Sequence, residues 1–141
     1  MNNDNTKEFS FGTQVRKSPY FDATVRWGAQ GFSVYNHMYM PVSYNGPVED
    51  YKKLLNGVQL WDVGVERQVQ IKGPDAEALS QFLTPRNIKK CSIGQAMYTP
   101  LVDFNGGLLN DPVMLKIDAD CFWFSVSDGD LILWVQGIAA G

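Results

Sequence analysis

Apolar positions along this chain follow two spacings, and the switches between them mark its elements. Through Glu66–Gly73 (ERQVQIKG), Val69 and Ile71 alternate with polar neighbours, the period of a half-exposed strand. FWFSVS (122–127) makes a further strand after a turn at DADC (118–121). Gly73-Pro74-Asp75 opens a helix with Ala76, Leu79, Phe82 and Leu83 inward, and Pro85 ends it. Pro47 sits where a first helical turn tolerates it, and Val48, Tyr51 and Leu55 follow on one face. Asn56-Gly57 supplies the stop for that helix. The apolar run VQLWDV (58–63) has the length of a strand. Two more strands, at about 95–102 and 108–117, flank DFNGG, where Asn105-Gly106 is a strong hairpin signal. Asp128 or Asp130 can cap a last helix that begins at LILWVQG. Ser18–Tyr44 is rich in aromatics and glycine, with short extended pieces and no clean period apart from a strand at 32–35.

This order predicts an α+β fold of mainly antiparallel sheets with packed helices. Residues 1–17 read as a mobile tail by composition, and 18–141 as the folded part, without internal repeats. The last helix is cut short at IAAG with only Gly141 beyond it, so we expect a fragment of a longer chain, poorly stable and inactive alone.

Composition narrows the function classes. A chain of 141 residues, 45% hydrophobic, can bury the core of one domain. Its net charge of −3 argues against a general nucleic-acid surface, because nothing supplies the positive field that phosphates need. The basic pairs Arg16-Lys17, Lys52-Lys53 and Lys89-Lys90 read as solvated faces. Cys91 and Cys121 have no CxxC spacing and His37 is the one histidine, which argues against a metal site or Cys/His catalysis. Reduced thiols are the expectation, with one disulfide as the alternative. The opening MNNDNTKEFSFG lacks the pattern of a signal peptide, and no apolar run approaches a membrane span. We expect a cytoplasmic protein that uses neither membrane nor nucleic acid.

The candidate chemistry lies in GGLLNDPV (106–113), where Asn110, Asp111 and Pro112 interrupt an apolar strand. A hairpin turning about Asn105-Gly106 sets Tyr98 opposite Val113, with Asp111 its diagonal neighbour on the same face. Diagonal neighbours lie roughly 7–8 Å apart, within reach of a common ligand. A tyrosine and an aspartate beside two proline interruptions fit a pocket wall. The alternatives are an edge carboxylate capping backbone amides and a tyrosine that only packs. His37, without a visible partner, reads as structural. Trp27, Trp61, Trp123 and Trp134 are core anchors or aromatic faces for a ligand cation.

The runs YNHMYMPVSY, GVQLWDVGVERQVQIKGPDA, FLTPRNIKK, GQAMYTPLVDFNGGLLNDPV and DCFWFSVSDGD, in that order, resemble the amino-terminal part of the glycine-cleavage T-protein family. That family comprises folate-binding aminomethyltransferases and tetrahydrofolate-dependent demethylases. Leu-Trp-Asp-Val-x-Val-Glu-Arg-Gln (60–68) and Leu-Leu-Asn-Asp-Pro-Val (108–113) look like its dimethylsulfoniopropionate demethylase-like branch. The resemblance spans about residues 16–141 and implies the first part of a folate-binding core, with tetrahydrofolate as cofactor and a small methylated substrate. It implies Asp111 as the catalytic residue, a carboxylate beside the pterin that orients the reaction, Tyr98 as the pocket tyrosine, and Ser127 where the family has a folate-contacting asparagine. Asn110 for the first acid of the usual Asp-Asp pair, and Gly64-Val65-Glu66 for Ser-His-Met, depart from the glycine-cleavage pattern. The implied activity is methyl transfer from a small sulfonium to tetrahydrofolate. The alternatives are a glycine-cleavage aminomethyltransferase, a non-catalytic folate-binding accessory protein of iron–sulfur assembly, and an interaction domain with no ligand.

Overall fold

The computed structural model describes residues 14–141. Length alone suggested one domain, but the chain separates into two compact units, the first ending at Val65 and the second running from Glu66 to Gly141. Most of the expected tail lies outside the described residues, but at its end Arg16–Lys17 forms a short strand, β1.

In the first unit, β1 is followed by α1 (Phe21–Arg26), β2 (Gly31–Tyr35), β3 (Met38–Ser43) and α2 (Pro47–Asn56). β3 is central, parallel to β1 and antiparallel to β2. The β2–β3 turn is Asn36-His37, with φ of 50° and 61°. Two successive positive φ values match the right-handed twist of a tight hairpin, and asparagine tolerates them better than most residues. Asn36 is buried and its amide donates to the Val65 carbonyl at 3.2 Å. His37 therefore has a structural place: it completes this turn, and its carbonyl accepts from the Arg16 amide at 2.9 Å. Phe21 of α1 packs on Phe32 and Tyr39 at centroid distances of 4.8 and 5.8 Å. Only Phe21 and Thr24 of α1 are buried, so the helix leaves no apolar stripe in the sequence and was not foreseen.

Helix α2 forms over the expected residues with Pro47 in its first turn. Val48, Tyr51 and Leu55 share a face, yet none of the helix is buried within the unit. Gly57 is extended, with φ −145°, so the helix stops without the left-handed cap that Asn56-Gly57 suggested. Asp50 ties the start of α2 to the preceding chain: its carboxylate accepts from the amides of Tyr44 at 2.8 Å and Asn45 at 3.1 Å. These bonds, the Tyr44 amide foremost, hold the Asp50 carboxyl below the ordinary carboxylate range. Its contribution is therefore fully present above the unfolded value of about 3.9 and is lost as pH falls through the lower folded value. The Tyr44 amide should exchange faster with solvent as the pH drops through that window. In Asp50→Asn this extra acid sensitivity should vanish; its persistence would assign the effect to another group.

The expected strand at 58–63 does not form. Val58 and Leu60 are fully exposed, at 100% and 99% of their accessible surface. Side-chain bonds organise this segment instead of a ladder: Asp62 accepts from Ser18 Oγ at 2.7 Å and from the Gly64 amide at 2.9 Å.

The second unit contains β4 (Arg67–Lys72), α3 (Ala76–Phe82), β5 (Ala96–Tyr98), β6 (Leu101–Val102), β7 (Leu108–Asn110), β8 (Val113–Asp118), β9 (Cys121–Val126) and α4 (Leu131–Ala139). Its main sheet has the order β4-β9-β8-β5, with every pairing antiparallel. One face carries Val69, Ile71, Met114, Phe122, Phe124 and Val126 into a core closed by Ala76, Leu83, Leu131 and Val135. Each fully buried phenylalanine contributes on the order of 1.5–3 kcal/mol. The α+β class with antiparallel sheets and packed helices is thus the observed one.

Three expectations change in this unit. Phe82 is 63% exposed, because α3 buries the stripe of Ala76, Ser80 and Leu83, from which position 82 is turned away. Phe82 instead meets Phe104 of the hairpin turn at 6.4 Å. Asp130 occupies the cap position of α4 but makes no cap bond, its carboxylate lying 3.2 Å from Arg67 Nη1. The long hairpin strands are each cut in two at Pro100 and Pro112, so that β6 and β7 form their own ribbon. That ribbon turns where Asn105-Gly106 predicted. Gly106 has φ +82°, and a Cβ on Gly107 would lie 2.9 Å from the Asp103 carboxylate, which accepts from the amides of Asn105 and Gly107.

Cys91 and Cys121 are both buried free thiols. No helix among the described residues is long and apolar enough to cross a membrane.

Candidate functional site

The face of the main sheet opposite the core carries the candidate residues. Tyr98 of β5 lies opposite Val113 of β8, which in turn lies opposite Ser125 of β9, and Ser125 faces Gln68 of β4. The next row is Ala96, Leu115, Trp123 and Gln70. Tyr98 pairs with Val113 as the Asn-Gly turn required, and it is 51% exposed, so it does not merely pack.

Burial alternates without a break from Asn110 to Met114, although Asn110 and Val113 belong to different strands. Asn110, Pro112 and Met114 point inward; Asp111 and Val113 point to the open face. The register survives the prolines because the Thr99 amide donates to the Pro112 carbonyl at 2.9 Å. Asp111 is thereby set two positions before Val113, the partner of Tyr98, and on the same face.

Ser127 completes this corner. Its hydroxyl donates to the Asp111 carboxylate, and the Asp111 amide lies 3.4 Å from the same Oγ. Asn110, only 5% exposed, brackets Ser127 from beneath. Its side-chain oxygen accepts from the Ser127 amide at 3.1 Å, and its Nδ2 donates to the carbonyls of Ser127 at 3.2 Å and Asp128 at 3.4 Å. A buried amide spends both its donor and acceptor capacity on one short stretch of backbone, which fixes that stretch. The structure thus joins Asp111 and Ser127 directly and places Tyr98 on their face.

Sequence reading missed part of this surface. Glu66 accepts from Ser125 Oγ at 2.8 Å, and Gln68 Nε2 donates to the same oxygen at 2.8 Å. Trp123 is also on this face, its indole N–H donating to Gln70 Oε1 at 2.9 Å. Among the other tryptophans, Trp134 packs against the core and Phe104, while Trp27 and Trp61 are exposed.

Residues 20–136 match the GCVT N-terminal domain family. The chain belongs to that family. It is 43% identical over 126 residues to the dimethylsulfoniopropionate demethylase of Ruegeria pomeroyi, covering 89% of this chain and 35% of that protein. It is 32% identical to an aminomethyltransferase of Chlorobium luteolum, covering 72% of this chain and 28% of the relative. A trimethylamine-oxide aldolase of Ruegeria pomeroyi is 29% identical over 81% of this chain and 15% of its own length. The fold is that of the glycine cleavage system aminomethyltransferase T from Bartonella henselae, with a TM-score of 0.69 and 18% identity, over 90% of this chain and 36% of that one. The chain therefore spans about a third or less of the length of these relatives. The T-protein resemblance read from the ordered motifs is confirmed at the level of the family.

Proposed function

We propose that the polypeptide carrying this domain transfers a methyl group from a small sulfonium donor to tetrahydrofolate. The observation that carries this reading is the Asp111 carboxylate, exposed on an open sheet face and held in place by the Ser127 hydroxyl. A reduced pterin is a bicycle whose planar pyrimidine half carries several N–H donors along its edge. It needs a fixed acceptor and an apolar wall, and Asp111 with Tyr98 and Val113 on its face is an arrangement of that kind. The demethylase relative, at 43% identity, favours a sulfonium as the methyl source.

Held by Asp111 and bordered by Tyr98, tetrahydrofolate would supply N5 as the methyl acceptor, with the C–S bonding pair leaving on sulfur and the N5 proton going to water. A sulfonium carries its own leaving group, so the chain need not provide a strong acid. Its residues hold and align. Asp111 fixes the ring edge, Ser127 fixes Asp111, Asn110 fixes Ser127, and Tyr98 borders the site. Orientation of this kind can lower a barrier by roughly 7–11 kcal/mol.

Several aminomethyltransferases are among the relatives, which supports transfer of an aminomethyl carbon as the second reading. In that reaction Asp111 would act more strongly through its charge on the amine being transferred. The test uses the full-length natural polypeptide with tetrahydrofolate and each donor class. We expect 5-methyltetrahydrofolate from dimethylsulfoniopropionate. No such product, with 5,10-methylenetetrahydrofolate formed from an aminomethyl donor, would establish the second reading in its place.

A further inference from the structure

Two carboxylates on the open face are each held by a serine at the end of β9, Ser125 within the strand and Ser127 just beyond it, and the reading above uses only one. Ser127 holds Asp111; Ser125, two residues earlier and near the end of the strand, holds Glu66. Positions two apart on a strand are about 6.5–7 Å from each other, so the two serines present their carboxylates at neighbouring points of one surface. The Glu66 contact is directional. Ser125 Oγ accepts from Gln68 Nε2, so the single hydroxyl proton is free to be committed to Glu66 Oε2. Trp123 lies on the same face in the row beyond Gln68–Ser125, on the side away from Glu66, and its indole N–H bond to Gln70 restrains the ring.

A pterin is uncharged and finds its acceptor in Asp111, so a second fixed carboxylate calls for a different partner. A sulfonium or quaternary ammonium centre cannot donate an N–H hydrogen bond. It is recognised by negative charge and by aromatic faces; Glu66 supplies the charge, and Trp123 is an aromatic ring of the same sheet face one row beyond Ser125. We propose that Glu66 is the specificity residue that holds the positively charged centre of the methyl donor. This rests on the methyl-transfer reading of the same face.

The charge also predicts which kinetic constant depends on Glu66. During transfer the positive charge leaves sulfur, so a carboxylate beside the sulfur favours the bound donor at least as much as the transition state. Glu66 therefore acts on donor affinity and leaves the chemical step little changed or slightly slower. Loss of its charge should appear in KM and not as a loss of kcat.

The experiment is calorimetric and kinetic, on the full-length polypeptide and its Glu66→Gln and Glu66→Lys variants. Glutamine keeps an acceptor for Ser125 while removing the charge. In Glu66→Gln we expect dimethylsulfoniopropionate to bind about five- to tenfold more weakly, with a matching rise in KM and kcat within about twofold. Binding of 3-(methylsulfanyl)propanoate, the anionic thioether counterpart whose sulfur carries no charge, should not weaken, and that of tetrahydrofolate should be unchanged. Glu66→Lys should weaken the sulfonium further and spare the thioether. Equal weakening of sulfonium and thioether would assign Glu66 a structural role and overturn the proposal. So would sulfonium affinity within twofold of the unmodified protein in both variants. If Asp111→Asn still abolished folate binding in that case, the methyl-transfer reading would stand without Glu66. Absence of any sulfonium binding or turnover by the unmodified polypeptide would remove both.

Discussion

Replacing Asp111 by asparagine should lower turnover of the full-length polypeptide by about a hundredfold or more, the scale of losing one fixed electrostatic contact to the reacting assembly. The substitution keeps volume and shape. It converts one carboxylate oxygen into an N–H2 group, which opposes the pterin's own donors, and it removes the charge. Ser127 can still donate to the remaining oxygen, so the corner should stay assembled. Because Asp111 is exposed and outside the core cluster, the thermal midpoint should move little. Calorimetric titration with tetrahydrofolate and an assay for 5-methyltetrahydrofolate check both halves of this expectation. Folate affinity and turnover unchanged in a folded variant would take Asp111 out of the site.

Removing the bracket beneath it should act differently. Asn110→Ala leaves the Ser127 amide and the carbonyls of Ser127 and Asp128 without the partners they have in the folded chain. Unsatisfied buried groups cost about 1–3 kcal/mol each, and solvent can reach some of these, so about 2–4 kcal/mol of stability should be lost in total. Chemical denaturation measures that directly. Ser127 would also lose its fixed backbone, so folate affinity should fall together with stability, whereas Asp111→Asn separates the two. A stability loss below about 0.5 kcal/mol would mean that water replaces the amide without penalty.

Local chemistry made the hairpin corner legible. Asn105-Gly106 set the turn, the turn set the register, and the register set Tyr98 and Asp111 on one face. The regular α3 and β4 were equally readable, because one side of each is covered by a core. Where covering is absent the periodicity misleads. VQLWDV is apolar enough for a strand, yet side-chain bonds from Asp62 shape the segment around it. Helix α1 buries too few residues to leave a stripe. Glu66 was missed for another reason. On a strand, glutamate and glutamine at alternate positions read as a solvated outer face, and the serine that gives Glu66 its direction lies 59 residues along the chain. A turn can be inferred from a few neighbours; a contact between distant side chains cannot. The tight Asn36-His37 turn was hidden similarly, since neither residue is the glycine that usually marks positive φ.

The paired prolines of the hairpin have a consequence for how relatives are aligned. The β6–β7 ribbon carries a register irregularity between Leu101 and Val102, while Tyr98–Val113 keeps the regular pairing on the other side of Pro100 and Pro112. An insertion or deletion of one residue within 102–109 can therefore be absorbed in the ribbon, leaving Tyr98 and Asp111 facing the same way. The same single-residue gap between Asp111 and Ser127 would invert the facing of every residue between it and the next irregularity. Odd gaps within 111–116 or 121–127 should accordingly be rare among chains that keep the aspartate in use, whereas the ribbon tip, and the β8–β9 turn with its own irregularity between Lys116 and Asp118, are free to vary in length.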